Sequence, residues 1–253
     1  HRPGGMIAGV EPLTRRVLES SAGHLRVISR CGTGMENVDS AAAAALSMRV
    51  CNTPDAPAQA VAELSVGLML CVLRRIAEAD RSLRGGAWKA LQGSLLGDKT
   101  VGVVGLGRIG SRVASLVRGF GCKVVGFDPV APAAPGVERV GLDDLLRSSG
   151  IVTLHLPLAE STRRFIDGPR LALMGSGAVL INASRGGLVD EAALLEALRE
   201  GKLRGAGIDV FEEEPYRGPL AQLPNCVLTS HMGSAARECR SRMEAEAADN
   251  LIK

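Results

Sequence analysis

The stretch Val101-Gly102-Val103-Val104-Gly105-Leu106-Gly107-Arg108-Ile109-Gly110 decides the fold of this 253-residue chain. Its apolar, β-branched start predicts a buried strand, and Gly105, Gly107 and Gly110 fill the three glycine positions of G-x-G-x-x-G. The first glycine permits a tight turn out of the strand, the second lets the backbone approach a pyrophosphate, and the third lets the next helix pack close to the sheet. That helix, beginning near Arg108, would point free N–H groups at the phosphates. The motif therefore predicts a dinucleotide site.

The residues that follow supply the context that this motif needs. A helical pattern comes next, and residues 122–127 are typical of a second strand, which ends at Asp128. A carboxylate at this place accepts hydrogen bonds from a ribose diol and repels a 2′-phosphate, which favours NAD over NADP. Two alternatives stay open, namely a glycine-rich turn that holds no ligand and an Asp128 that only caps a turn.

Composition and charge exclude several function classes. The chain carries 30 basic and 27 acidic residues without a long run of one sign, and its aromatic content is 2%, so neither nucleic acid nor an anionic membrane is an expected partner. The longest apolar stretch, residues 64–73, is far shorter than the ~20 residues of a membrane-spanning helix and is predicted to be a buried core helix. The six cysteines show neither C-x-x-C nor zinc-finger spacing, which predicts a reduced, cytoplasmic protein without a bound metal.

Strands and helices alternate on both sides of a long helix predicted over residues 58–84. This alternation predicts parallel sheets with crossover helices, and the fold class is α/β with two doubly wound domains. A smaller, flavodoxin-like substrate-binding domain would comprise residues 1–93 and 235–253, and a Rossmann nucleotide-binding domain residues 94–234. Because the first domain has few strands, we expect that a segment preceding His1 is missing from this sequence.

Three chemically useful side chains follow predicted strands of the second domain. Arg185 presents a planar fork suited to a carboxylate, Glu214 lies in an acidic loop, and His231 follows the strand at 226–230. Reduction of a 2-keto acid needs a carboxylate anchor, a proton donor to the carbonyl oxygen and a hydride donor. Arg185 would anchor and polarise the substrate, His231 would donate the proton, and Glu214 would orient His231 and favour its protonated form. Taken singly, each residue could instead be an ordinary surface or core residue.

Several motifs together resemble the D-isomer-specific 2-hydroxyacid dehydrogenase family, and its phosphoglycerate dehydrogenase branch most closely. In the second domain they are GLGRIG (105–110), NASRGGLVD (182–190), GIDVFEEEP (207–215) and HMG (231–233). In the first domain they are RCGTGMENVD (30–39) and NTP (52–54). The similarity covers nearly the whole chain.

The resemblance implies a site in a cleft between the two domains, with Arg185, Glu214 and His231 as its catalytic residues. Asp209 and the loop after His231 would hold the nicotinamide carboxamide, and Thr33 would reach the cofactor from the first domain. Arg30 is a candidate substrate-phosphate ligand, and the backbone amides of Cys31 and Gly32 would grip the substrate carboxylate. The implied NAD-binding residues are Gly105, Gly107, Arg108, Ile109, Gly110, Asp128, Leu156, Pro157, Thr162, Ala183, Asp209, Gly233 and Thr33. Family members are usually dimers built through the nucleotide domain.

The substrate and two rival functions stay open. Some phosphoglycerate dehydrogenases carry an arginine near the place of Gly9, so the substrate could be 3-phosphoglycerate or an unphosphorylated acid, as in glyoxylate or hydroxypyruvate reductases. An NADH-sensing, corepressor-like binding protein would keep the same three residues. A formate dehydrogenase would need no proton donor, and Glu214 beside His231 argues against it.

Overall fold

The structure is a computed structural model that describes residues 3–132 and 134–252. Its strands are β1 (Gly5–Ala8), β2 (Val27–Arg30), β3 (Arg49–Asn52), β4 (Thr100–Val104), β5 (Lys123–Phe127), β6 (Glu138–Arg139), β7 (Ile151–Leu154), β8 (Ala178–Asn182), β9 (Leu203–Ile208) and β10 (Cys226–Leu228). Its helices are α1 (Arg15–Ser20), α2 (Ser40–Ala45), α3 (Ala56–Leu73), α4 (Ile76–Arg84), α5 (Arg108–Gly119), α6 (Leu142–Ser148), α7 (Gly168–Leu173), α8 (Glu191–Arg199) and α9 (Arg237–Ile252). Residues 1–2 and 253, the ends of the predicted substrate domain, lie outside the described residues.

The first unit, residues 1–60 and 234–253, is built on a parallel sheet of strand order β1-β2-β3. One apolar cluster joins Leu18 of α1, Ile28 of β2 and Ala43 of α2. A second joins Cys31, directly after β2, to Cys239 and Met243 of α9. Apolar residues on both sides of a parallel sheet are what crossover helices require, and the predicted α/β class is confirmed for this unit.

The second unit, residues 61–233, contains the larger parallel sheet. In the described part of the chain its order is β10-β9-β8-β7-β4-β5-β6, so the sheet grows in one direction from β4 through β6 and in the other from β7 through β10. β8 is buried at every position, which explains why its first four residues, 178–181, are all apolar. This doubly wound order confirms the predicted Rossmann domain.

The boundary between the two units differs from the predicted one at residues 93/94. It falls at residues 60/61, inside α3, because apolar side chains of this helix such as Val66 and Met69 pack in one cluster with Val101 and Val103 of β4. The second boundary, at residues 233/234, lies within one residue of its predicted place.

The apolar helix α3 has a mean hydropathy of 1.6 and is long and apolar enough to cross a membrane by length and composition alone. In the structure most of its apolar side chains from Ala62 onward lie in the core of the second unit, Ala56 and Ala60 pack against a cluster of the first unit, and Glu63 is its only exposed residue. Its packing therefore explains its composition, as expected of a core helix.

The long helix predicted over residues 58–84 is interrupted. Arg75 adopts a left-handed conformation with φ 54°, which separates α3 from α4. Its guanidinium then donates two hydrogen bonds, of 2.8 and 2.6 Å, to the Glu78 carboxylate in the first turn of α4. Nothing in the helical periodicity indicates this break, because Arg is an ordinary helix former.

Candidate active site

The strand order places a switch point between β4 and β7, where the sheet begins to grow in opposite directions. Doubly wound sheets bind their ligands at the carboxyl ends of the strands at this point. The glycine loop follows β4 and the Leu156-Pro157 segment follows β7. The other candidate residues of this unit also follow strands at the same edge: Asp128 after β5, Ala183 and Arg185 after β8, Asp209 and Glu214 after β9, and His231 and Gly233 after β10.

Each of the three glycines in the loop has the geometry that its predicted role requires. Gly105 has φ +93°, and a Cβ there would lie 2.6 Å from the His155 carbonyl oxygen. A Cβ on Gly110 would lie 1.9 Å from the Gly105 carbonyl oxygen, so only glycine lets α5 approach the strand this closely. Gly107 faces open space, with no atom within 4 Å of where its Cβ would be. The loop thus leaves room for a phosphate group directly before the first turn of α5.

Asp128 is fixed by backbone amides at the end of β5. One of its carboxylate oxygens accepts from Leu106 N at 2.7 Å and the other from Val130 N and Ala131 N at 2.8 Å. Burial opposes ionisation, but these amides and the charge of Arg139 outweigh it and lower the pKa of Asp128. An ionised carboxylate beside the glycine loop suits a ribose diol, and the residues present fit NAD.

Two loops that would flank the cofactor are joined by hydrogen bonds. Ser184 Oγ donates to the Leu156 carbonyl at 2.6 Å, which ties the loop after β8 to the loop after β7. Within the loop after β7, Thr162 Oγ1 donates to the Pro157 carbonyl at 2.7 Å and accepts from Ala159 N at 2.8 Å. The predicted flanking residues therefore lie in one hydrogen-bonded segment of the second unit.

Arg185 lies in a loop that the buried Asn182 side chain holds. Asn182 Nδ2 donates to the Arg185 carbonyl at 2.9 Å, and its Oδ1 accepts from Ser184 N at 3.2 Å. Arg185 itself donates from Nη1 to the Ser184 carbonyl at 2.7 Å. The backbone that carries the guanidinium is therefore held from the last residue of β8.

Glu214 and His231 are in direct contact. His231 Nδ1 lies 2.7 Å from Glu214 Oε2, and Glu214 Oε1 accepts a hydrogen bond from Phe211 N at 3.0 Å. The carboxylate is thus held at one oxygen by the backbone and at the other by the imidazole. This arrangement fixes the imidazole ring and leaves Nε2 as the nitrogen that can exchange a proton with a ligand.

The second histidine at a strand end is unsuited to acid–base work. Thr153 Oγ1 lies 2.9 Å from His155 Nε2, and burial lowers the pKa of His155 to about 3. The ring is therefore neutral at physiological pH. Its place beside the Gly105 turn agrees with the interpretation of residues 155–157 as a flanking loop.

The first-unit candidates Arg30, Cys31, Gly32 and Thr33 lie at the end of β2 or directly after it. Cys31 N donates to the Ala8 carbonyl at 2.8 Å, and Gly32 N donates to Thr53 Oγ1 at 2.7 Å. Both donors are used inside the unit in this structure, and the grip of a substrate by these two amides stays a prediction.

Arg30 and Thr33 are also held within the first unit. Arg30 Nη1 donates to the Cys31 carbonyl at 2.5 Å, and its guanidinium covers Gly32, where a Cβ would lie 1.4 Å from that nitrogen. The Thr33 carbonyl accepts from Asn52 Nδ2 at 2.7 Å. Burial raises the pKa of the Cys31 thiol, which marks it as a packing residue rather than a nucleophile.

Sequence reasoning missed residues that hold the site without carrying its chemistry. Asn182, Ser184 and Thr229 act through the hydrogen bonds of their side chains, and Gly186 through the close approach of two backbones. For Asn182 a signal was available, because a polar residue ends an otherwise apolar strand. For Ser184, Thr229 and Gly186 no local signal exists, because each contacts a residue that is distant in sequence.

Comparison with known proteins identifies the family. The family model described as the D-isomer specific 2-hydroxyacid dehydrogenase, NAD binding domain, matches residues 66–233. Among solved structures, that of the TT0316 protein from Thermus thermophilus has a TM-score of 0.93 and 40% sequence identity, covering 98% of this chain and 82% of that one.

Two curated relatives differ in the activity that they are named for. D-3-phosphoglycerate dehydrogenase of Methanocaldococcus jannaschii is 43% identical over 95% of this chain, which spans only 47% of that protein. Hydroxypyruvate reductase of Thermotoga maritima is 40% identical over 98% of this chain and 83% of its own length. The chain thus spans about half of the first relative and most of the second. It belongs to the D-isomer specific 2-hydroxyacid dehydrogenase family and contains the NAD-binding domain of that family.

Proposed function

We propose that this protein is an NAD-dependent oxidoreductase that transfers a hydride between nicotinamide and a small D-2-hydroxy acid or its 2-keto form. The observation that carries the proposal is the 2.7 Å contact between Glu214 and His231. The pair follows the last two strands of the sheet that also carries the glycine loop and Asp128. A proton-exchanging imidazole with an orienting carboxylate is what reduction of a carbonyl group requires beside a dinucleotide.

The residues divide the chemistry among them. Arg185 binds the substrate carboxylate through its planar guanidinium and polarises the adjacent carbonyl. His231 gives a proton from Nε2 to the carbonyl oxygen as it becomes an alcohol, and takes it back in the reverse direction. Glu214 accepts from Nδ1 and fixes the orientation of the imidazole ring for the transfer. When bound, NADH supplies the hydride.

The coenzyme would be held by the glycine loop, the first turn of α5 and Asp128. Open space over Gly107 admits a pyrophosphate, and the ionised Asp128 disfavours a 2′-phosphate. Asp209 and Gly233 would contact the nicotinamide end, and Leu156, Pro157, Thr162 and Ala183 would flank it, as the family resemblance implies. We therefore expect NADH to be preferred over NADPH.

The substrate class is tested by NADH oxidation at 340 nm, with NADPH as the control coenzyme. The panel comprises glyoxylate, hydroxypyruvate, phosphohydroxypyruvate, pyruvate and longer 2-keto acids. Turnover of phosphohydroxypyruvate alone would make Arg30 the candidate phosphate ligand. Turnover of an unphosphorylated acid would give the activity named for the hydroxypyruvate reductase relative. No turnover by folded protein that binds NADH would overturn the enzyme proposal in favour of an NADH sensor.

Variants of the pair test the mechanism. His231→Ala removes the proton donor and should lower kcat by about a thousandfold while NADH binding persists. Glu214→Gln keeps the shape but not the charge and should lower kcat by roughly tenfold to a hundredfold. Glu213→Gln is the matched control, because the neighbouring Glu213 is exposed and makes none of the contacts of the pair. Equal kcat in Glu214→Gln and Glu213→Gln would contradict the assignment.

The proposal includes a homodimer formed through residues 76–95. Ile76, Leu83, Trp88 and Leu95 in this segment are all exposed, and Trp88 is 91% exposed. Exposed apolar side chains concentrated in one segment favour association, and a standard interface buries about 800 Å² per partner. Light scattering should give a dimer for the wild type and a monomer for Leu83→Glu/Trp88→Glu. A monomeric wild type at micromolar concentration would refute this part of the proposal.

A further inference from the structure

Hydrogen bonds hold the turn that carries His231 to Asp209, the residue that follows β9. Asp209 is 1% exposed, and within residues 3–132 and 134–252 its carboxylate accepts hydrogen bonds from one hydroxyl and two backbone amides. Its Oδ1 accepts from Met232 N and its Oδ2 from Gly233 N, both at 2.9 Å. Its backbone carbonyl accepts from His231 N at 2.7 Å. Three consecutive amides of the turn therefore donate to one residue.

His231 needs this support because its backbone is in the left-handed region. Its φ is +50°, a conformation that few residues other than glycine adopt. Such a conformation persists where the surrounding structure over-determines it, and it is frequent at functional sites. The three hydrogen bonds to Asp209 begin at His231 itself and continue through the next two residues. The direction of the imidazole thus depends on where the Asp209 carboxylate lies.

Thr229 fixes the position of that carboxylate. Its Oγ1 donates to Asp209 Oδ1 at 2.6 Å, the shortest of the contacts to this side chain. The Thr229 backbone is itself held, because its N–H donates to the Ile208 carbonyl at 3.0 Å and prolongs the pairing of β10 with β9. Thr229 supplies the one side-chain donor recorded for Asp209 within the described residues. Without it the buried carboxylate would lose a hydrogen-bond donor, and it would be free to turn away from the two amides.

We propose that Thr229 is a positioning residue, whose hydroxyl acts through Asp209 to hold His231 in the orientation for proton transfer. This inference rests on the proposed function, since it concerns the same proton donor. The charged groups bonded to this turn are the Asp209 carboxylate beneath it and the Glu214 carboxylate on the imidazole. A displaced turn would change the distance of His231 from both.

The test compares Thr229→Val, which keeps the shape and removes the donor, with Thr229→Ser, which keeps the donor. We expect the valine variant to lower kcat at least about tenfold and to move the limb of the pH–rate profile that reports His231. The serine variant should stay within about threefold of the wild type. Because the chain has four histidines, ¹⁵N-labelled imidazole signals can be assigned with His231→Gln, and the His231 signal should change its titration in the valine variant alone.

Each outcome has a defined meaning. A wild-type kcat, pH profile and imidazole titration in Thr229→Val would overturn the inference, as would equal losses in the valine and serine variants. If Thr229→Val does not fold, Thr229→Ala replaces it as the variant without a donor. A loss of kcat in Thr229→Ala that Thr229→Ser does not show would support the inference in the same way. Wild-type turnover in His231→Gln would instead overturn the proposed function, so the two failures are distinguishable.

Discussion

The substitution Gly186→Ala should separate the two loops that carry Arg185 and Glu214. Gly186 directly follows Arg185 and begins the short 3₁₀ turn Gly186–Leu188. A Cβ at this position would lie 1.9 Å from the Phe211 carbonyl carbon and 2.4 Å from Glu212 N. Both neighbours are backbone atoms, so a side-chain rotation cannot relieve the overlap.

The size of the effect follows from this geometry. Carbon atoms in contact lie about 3.5 Å apart, so the two backbones must separate by about 1.5 Å. Phe211 N also donates to Glu214 Oε1, so a shift of this loop moves the residue that orients His231. A misplacement of about 1 Å at a catalytic group lowers the rate by about a hundredfold, equivalent to roughly 2.7 kcal/mol of transition-state stabilisation. We therefore expect kcat/KM to fall about a hundredfold.

The assay is NADH oxidation with the best 2-keto acid of the panel, together with thermal unfolding and NADH binding. Gly119→Ala is the matched control: Gly119 is exposed in the last turn of α5, and its Cβ would meet nothing within 4 Å. The control should keep full activity and gain up to about 1 kcal/mol of stability. A Gly186→Ala variant with wild-type kcat/KM would refute the reasoning that the backbone contact sets the spacing of the two loops.

Four further predictions address the coenzyme site, pH dependence and thiol reactivity. Gly110→Ala should weaken NADH binding at least about tenfold, measured by fluorescence titration, because its Cβ would overlap the Gly105 carbonyl. Asp128→Asn should raise the ratio of kcat/KM with NADPH to that with NADH about tenfold. Burial lowers the pKa of His155 from 6.5 to about 3, so below pH 6.5 the unfolded chain binds the extra proton and stability falls as the pH falls. Urea unfolding measures this effect. Between pH 7 and pH 5 the free energy of unfolding should fall by about 2 kcal/mol less in His155→Gln than in the wild type. Burial raises the pKa of the Cys226 thiol to about 12, so thiol reagents should label it only after unfolding.

The glycine loop was predictable because most of its determinants are local. Strand β4, the turn and α5 follow one another, Gly110 packs against the Gly105 carbonyl of the same turn, and Gly107 faces the empty space before the helix. The contact of Gly105 with the His155 carbonyl comes from another strand end and has no signal in the loop itself. The placement of Arg185, Glu214 and His231 at one edge was predictable for a similar reason, since the carboxyl ends of parallel strands share an edge. Their catalytic roles stay predictions for the variants to test.

Features that depend on distant contacts were not predictable. The left-handed Arg75 divides a helix whose sequence shows no breaker at that point, and the unit boundary depends on which core α3 joins. The amides of Cys31 and Gly32 are used by Ala8 and Thr53, partners that the loop sequence does not reveal.

The helix α9 gives the first unit an unusual order of assembly. The side chain of Asn250 in this helix donates to Ser29 Oγ and to the Asn52 carbonyl, and the backbone carbonyl of Asn250 accepts from Arg49. These bonds join residues about 200 positions apart in the sequence. During synthesis the whole second sheet leaves the ribosome before α9 does. The second unit can therefore fold while the first sheet still lacks the helix that packs on β1 to β3. Strands β1 to β3 are therefore synthesised long before the helix that covers them, and their burial waits for the synthesis of α9.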